Sequence, residues 1–501
     1  MRYKNTRDSS VSVTASQAIL RGIAPDGGLY VPESLPWLSY NDFKTLEKAD
    51  YVSRCAEIIG AFADDFSRAE IMSCVSSAYT RRKFGTDSIA PLYELRDGLY
   101  MLELWHGPTC AFKDMALQLL PHMMTAASRR LDPKERSVIL VATSGDTGKA
   151  ALEGFKDVPG TEIIVFYPKN GVSPMQKLQM TTQEGENVRV CAIEGNFDDA
   201  QAGVKSAFTD DELIKRLKNS GMHFSSANSI NWGRLLPQIV YYISAYCELL
   251  RNGRLACGES INIVVPTGNF GNILAAYYAK KMGVPVGRLI CASDANNVLA
   301  DFIATGVYDR NRPFYTTISP SMDILVSSNL ERLVYDVSGC DDAKVREWMA
   351  LLASQGRYDV GSDMTAAIRE TFRGGYCGDE DTRAAIRDFF CEYSYICDPH
   401  TAVAAEVYKQ YRQKTNDRSK TIIVSTASPF KFPRDVLGAI EDTGSCGDDA
   451  EGEKRMIARL EELALTPAPK QITALFGKNV RFDDVCAPDE MKDYIIDTLR
   501  L

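Results

Sequence analysis

A chain of 501 residues exceeds what one hydrophobic core usually supports, so about two to four domains are expected. Hydrophobic residues at 45% and charged residues at 25% exclude a wholly disordered or fibrous class. The formal charge of -9, with no Lys/Arg run forming a basic stripe, argues against a nucleic-acid partner, and no stretch approaches the roughly 20 apolar residues of a membrane span.

Residues 1–8 have no apolar stretch behind them, so a secretory leader is not expected and a cytoplasmic location is. A Gly/Pro-rich turn, Pro25-Asp26-Gly27-Gly28, precedes two segments, 41–66 and 67–84, in which apolar residues recur at three and four positions; this predicts a small, mainly helical N-terminal domain over 1–95. The rhythm then changes. Short apolar runs rich in β-branched residues at 138–142, 163–167, 188–193, 261–265, 289–292 and, much later, 421–424 read as strands buried on both faces. Most are followed by helix-compatible stretches, which predicts an α/β region with parallel sheets over 96–440, with a smaller α/β subdomain at about 125–230 inserted in the larger one. The segment 230–250 reads as a long amphipathic helix with a polar start, and 338–420 is helix-rich. A Gly/Asp/Glu-rich linker at 445–453 interrupts a C-terminal extension over 441–501. Thirteen scattered cysteines fit reduced thiols, and four histidines far apart in sequence, His106, His122, His223 and His400, predict no metal site.

Three segments carry chemistry. Gly268-Asn269-Phe270-Gly271-Asn272 lies between a strand and a helix, where glycines let several N–H groups converge at the positive end of the helix dipole. A phosphate cradle and a plain strand-to-helix turn both remain open. Thr143-Ser144-Gly145-Asp146-Thr147-Gly148-Lys149 has a P-loop's outline, but Thr143 replaces the required glycine and Ala150 the required hydroxyl, so a nucleotide triphosphatase is disfavoured. Its helix N-terminus can hold a carboxylate, or Ser144 or Asp146 can simply cap the helix. In His106-Gly107-Pro108-Thr109-Cys110-Ala111-Phe112-Lys113, the lysine is either a snorkelling surface residue or, if buried, a neutral amine fit for a Schiff base.

Together with Ser425-Thr426-Ala427-Ser428-Pro429-Phe430-Lys431-Phe432, Ala24-Pro25-Asp26-Gly27-Gly28 and Asn231-Trp232-Gly233-Arg234, these segments resemble the threonine synthase family, pyridoxal-phosphate enzymes with the tryptophan-synthase-β type of fold. The likeness runs, in matching order, from near the first residues to beyond Pro433. It implies an α/β fold of two parallel-sheet-containing subdomains beside a small N-terminal domain. It also implies Lys113 as the lysine that carries pyridoxal 5'-phosphate and moves protons, and Gly268, Asn269, Phe270, Gly271 and Asn272 as the cofactor-phosphate loop, although family members often have Asp in place of Asn272. Thr426 is implied as the hydroxyl at the pyridine nitrogen. Ser144, Gly145, Asp146 and Thr147 are implied to hold the substrate α-carboxylate, and Asn231, Arg234 and Lys431 the substrate phosphate.

The activity implied is that of a carbon–oxygen lyase turning O-phosphohomoserine and water into threonine and phosphate, the last step of threonine biosynthesis. The partners implied are the small-molecule substrate alone, with no nucleic acid or membrane, on a monomer or homodimer. Rival readings are another enzyme of the cofactor group, such as a serine/threonine dehydratase or a cysteine synthase, and a catalytically silent relative that only binds. Segments 25–28 and 231–234 favour threonine synthase over the former, and the presence of Lys113 weighs against the latter. Neither glycine-rich loop has the G-x-G-x-x-G spacing of a nicotinamide dehydrogenase.

Overall fold

A computed structural model of the chain describes every residue except 97, 132–134, 144, 445 and 448, and the side chains of those described apart from that of Asp198. Two parallel-stranded sheets organise it. The larger has the strand order Phe372–Tyr376, Val286–Ser293, Ile261–Pro266, Thr421–Ser425, Leu99–Glu103, Leu92–Arg96, parallel throughout except for the last, antiparallel pair. The smaller is all parallel, in the order Val485–Cys486, Val188–Ile193, Thr161–Pro168, Arg136–Ala142, Met222–Ser225. Each of the six β-branched runs falls inside one of these strands, and their interiors are almost fully buried because helices cover both faces.

The strands that periodicity passed over lack its signal. Leu99–Glu103 carries no β-branched residue, Phe372–Tyr376 contains Gly374 and Gly375, and Met222–Ser225 is only four residues long. Residues 3–32 also fold into a three-stranded antiparallel sheet, Asp8–Val13, Tyr3–Asn5 and Tyr30–Pro32, ahead of the helices Tyr40–Leu46, Tyr51–Phe62 and Arg68–Ala78.

Helix Trp232–Arg251 departs from the amphipathic expectation. Of its side chains only Glu248 and Arg251 reach solvent, because it is wedged against the helices Tyr51–Phe62 and Gly271–Lys281. The C-terminal segment joins the two halves of the molecule: helix Ala450–Ala464 packs on helix Pro433–Ile440, then Val485–Cys486 adds an edge strand to the smaller sheet and helix Met491–Leu499 covers it. Loops leaving the C-terminal ends of Leu99–Glu103, Arg136–Ala142, Ile261–Pro266 and Thr421–Ser425 supply the site, which is where parallel sheets present their ligands.

Candidate active site

Lys113 begins the short helix Asp114–Leu117. The bend before it is fixed by a bridge between Ala111 and Ala427, by the Phe112 N–H donating to the Thr426 carbonyl at 2.8 Å, and by the Ser428 N–H donating to the Cys110 carbonyl at 3.1 Å. These bonds hold Thr426 beside the lysine. Lys113 is 8% exposed, its Nζ donates to Ser321 Oγ at 3.2 Å, and it lies 3.7 Å from Asp146 Oδ2. Burial lowers its pKa to about 8; the Asp146 carboxylate opposes that shift, and the Lys431 and Arg234 cations add to it. A useful fraction of neutral amine is therefore present near neutral pH.

Asp146 opens helix Asp146–Phe155 and is buried. Its Oδ1 accepts from Lys431 Nζ at 2.6 Å and from Gln176 Nε2 at 3.2 Å. Burial alone raises its pKa, but Lys431 and Lys113 more than offset this and keep the carboxylate ionised. Asp146 is thus a bridge between two lysines and does not cap its own helix. The cap position belongs to Gly145, without a side-chain cap bond, while Ser144 lies outside the described residues. An ionised carboxylate repels another, so what Asp146 itself offers such a ligand is its backbone N–H. The N–H groups of Asp146 and of half-buried Thr147 donate to no described residue. Thr143 Oγ1 pins the turn by accepting from the N–H groups of Gly145 at 3.0 Å and Gly148 at 2.9 Å.

The 268–272 turn leads into helix Gly271–Lys281, whose cap position, Phe270, has φ 62° and gives no side-chain cap bond. None of the N–H groups from 268 to 273 donates to a described residue. The turn's carbonyls are spoken for: Ser327 Oγ donates to the Gly268 carbonyl at 2.7 Å, and Asn329 donates to the Asn269 carbonyl from its N–H at 3.2 Å and its Nδ2 at 3.1 Å. A Cβ on Gly268 would sit 2.9 Å from the Ser321 carbonyl. Asn272 Oδ1 accepts from the Tyr241 hydroxyl and, at 2.6 Å, from the Tyr242 hydroxyl, which leaves its buried Nδ2 unpartnered among the described residues. These unspent donors fit a phosphate.

Arg234 lies in the first turn of helix Trp232–Arg251, 3% exposed. Its Nη1 donates to the Ala227 carbonyl at 2.7 Å, its Nε has no partner, and no carboxylate pairs with it among the described residues. Burial lowers its pKa to about 10, so it stays charged without a carboxylate partner among the described residues. Asn231 has a different part. It is fully buried, its Oδ1 caps the helix through the Gly233 N–H at 2.8 Å, and both Nδ2 hydrogens are taken, by the Ile19 carbonyl at 3.0 Å and the Ser226 carbonyl at 2.9 Å. Donating that amide to a substrate phosphate would require breaking its bond to the Ile19 or the Ser226 carbonyl.

Sequence reasoning missed Ser321, Gln176 and His400. Ser321 sits in a one-turn 3-10 helix, Pro320–Met322, with no motif, and Gln176 on helix Pro174–Thr181. His400 was visible only as an isolated histidine. It is buried, its Nδ1 pairs with Ser319 Oγ, and burial pushes its pKa down to about 3, so the ring is neutral.

A buried, partly neutral amine beside a turn of unspent amide N–H groups fits an aldehyde with a phosphate tail, and the chain matches the family of pyridoxal-phosphate dependent enzymes. Residues 88–372 match the family described as pyridoxal-phosphate dependent enzyme, residues 2–79 the threonine synthase N terminus, and residues 401–495 the threonine synthase C-terminal family. Threonine synthase of Pseudomonas aeruginosa is 38% identical over 437 residues, 87% of this chain and 90% of that one. Human threonine synthase-like 1 is 41% identical over 436 residues, 85% of this chain, which spans 58% of that protein's length. The crystal structure of pyridoxal-phosphate-bound threonine synthase from Brucella melitensis superposes with a TM-score of 0.87 at 34% identity, covering 100% of both chains. The chain belongs to the threonine synthase family.

Proposed function

We propose that this chain converts O-phosphohomoserine and water to threonine and phosphate, with pyridoxal phosphate carried on Lys113. The observation that carries the reading is Arg234, a buried guanidinium with no counter-ion among the described residues, close enough for its charge to be felt at Lys113, on a different element from the 268–272 turn. An uncompensated buried cation is costly and is relieved by an anion. Two anion sites around one amine, besides the N–H groups open to a substrate carboxylate, suit a phosphorylated cofactor together with a phosphorylated substrate; a dehydratase acting on a free hydroxyl amino acid has no substrate phosphate to fill the second.

The residues divide the work as follows. The turn 268–272 would hold the cofactor phosphate through its N–H groups, and the Thr426 hydroxyl would serve the ring nitrogen. When bound, the cofactor supplies an electron sink for charge developing next to the substrate amine. The N–H groups of Asp146 and Thr147 hold the substrate carboxylate at a helix N-terminus. With the cofactor and substrate in place, Lys113 Nζ would take the proton from the substrate α carbon and serve the β carbon in turn, since one tethered amine within reach of both can do both transfers. Lys431 keeps Asp146 ionised, and Asp146 in turn steadies the protonated form of Lys113. Arg234 stabilises charge on the phosphate as it departs.

Purified protein given cofactor and O-phosphohomoserine should release phosphate and threonine in equal amounts, and Lys113→Ala should release neither. Arg234→Met should raise KM for the phosphorylated substrate by roughly 10- to 100-fold while leaving cofactor affinity unchanged. Formation of 2-oxobutanoate from threonine without phosphate release would move the chain to the dehydratases.

A further inference from the structure

Arg332, on helix Leu330–Val337, is fully enclosed, and its guanidinium is spread over three separate parts of the chain. Nε donates to the Tyr30 carbonyl at 3.0 Å, Nη2 to the Ile230 carbonyl at 2.6 Å, and Nη1 to Asn329 Oδ1. Each acceptor leads somewhere different. Tyr30 belongs to the N-terminal sheet. Ile230 immediately precedes Asn231, the cap of the helix that bears Arg234. Asn329 grips the Asn269 carbonyl of the glycine turn with its N–H and Nδ2, and stands 3.4 Å from where a Gly271 Cβ would lie. The neighbouring residue strengthens the first link: Glu331 accepts from Thr6 Oγ1 at 2.6 Å and from Arg7 Nε at 2.9 Å and Nη2 at 2.8 Å.

No carboxylate bonds to Arg332 among the described residues, so ion pairing does not explain a buried guanidinium here. Its geometry does. A planar fork can satisfy three acceptors lying in different directions, whereas a lysine at the same place is a single compact charge.

We propose that Arg332 is a positioning residue that sets the spacing between the two anion sites, fixing the glycine turn through Asn329 and the start of the Arg234 helix through Ile230, both referred to the N-terminal sheet through Tyr30. This rests on reading the turn as the cofactor-phosphate site and Arg234 as the substrate-phosphate site. Arg332 touches neither ligand. Its effect reaches them through the backbone of two turns.

The test compares three quantities in Asn329→Ala, Arg332→Lys and the double variant: the cofactor dissociation constant from absorption titration of the apo-protein, KM for O-phosphohomoserine at saturating cofactor, and the melting temperature. Asn329→Ala should weaken cofactor binding about tenfold and leave KM unchanged. Arg332→Lys should weaken cofactor binding by about as much and also raise KM about tenfold, because it alone releases Ile230. The double variant should bind cofactor no worse than Arg332→Lys, since both changes cut the same link. Lower melting temperatures with cofactor affinity and KM unchanged make Arg332 a structural residue only and overturn the proposal. If Arg332→Lys does not fold, Asn329→Ala decides: wild-type cofactor affinity in that variant is enough to reject the idea. A wild-type protein that binds no cofactor instead removes the underlying reading of the turn, and the proposal with it.

Discussion

At the scale of single residues, the chemistry depends on how burial and neighbouring charge set one amine. Lys113 sits at about 8, below the ordinary lysine range, because desolvation penalises its charged form and two nearby cations add to the effect. Only the neutral amine attacks an aldehyde, so the rate of cofactor capture by apo-protein should rise with pH and reach half its plateau near 8, falling about tenfold per unit below that. Asp146 is the group that resists the shift. Asp146→Asn should therefore move the midpoint below 8, and stopped-flow absorption over a pH series reads both values. A midpoint near the free-lysine value of about 10.4 in the wild type would show that the amine is not desolvated in solution. The two glycine loops stand out in the sequence through a local pattern, whereas Lys113 and Arg234 stand out only through a resemblance spread over several segments. What Asn231 does was not legible. A motif gives the residue and not its partners, and its partner Ile19 lies far away in the chain.

At the scale of elements, both site turns use glycine where a side chain has no room. Gly145 has φ 144°, and a Cβ there would lie 2.3 Å from the Gln176 side-chain nitrogen. Gln176 cannot simply swing away, because its Nε2 also donates to Asp146 and its Oε1 accepts from the Ser173 N–H. Gly145→Ala should cost on the order of 1–3 kcal/mol of stability and disturb the Asp146–Lys431 pair, raising KM more than it lowers kcat. Steady-state kinetics with a denaturant curve would check this, and a variant with unchanged KM and midpoint would mean the turn relaxes freely. The same contrast explains which elements could be read in advance. Buried strands such as Ile261–Pro266 declare themselves by composition, since both faces are covered. Leu99–Glu103 occupies an interior position in the same sheet, but its place there is decided by pairing with Thr421–Ser425, and no local signal encodes so distant a partner.

At the scale of the whole molecule, the C-terminal segment completes the smaller sheet. Met491 and Ile495 are buried against the cluster formed by Cys191, Ile193, Ala200 and Val204, and Val485–Cys486 closes the edge beside Val188–Ile193. Deleting residues 480–501 uncovers those two side chains' pocket and the open strand edge. The expected loss is roughly 3 to 6 kcal/mol from the two side chains alone, with self-association at the exposed edge. Urea unfolding and light scattering measure the two effects, and an unchanged midpoint would show that the segment is dispensable to the fold.

The strand order of the two sheets bears on how the polypeptide is made. Residues 99–103 wait for residues 421–425, and residues 188–193 wait for residues 485–486, before their hydrogen-bonding edges are satisfied. During synthesis four strands of the smaller sheet can pair by residue 225, while the larger sheet keeps the edge of 99–103 open until residues 421–425 are made. An edge left open for so long is the kind of surface on which a nascent chain associates with its neighbours.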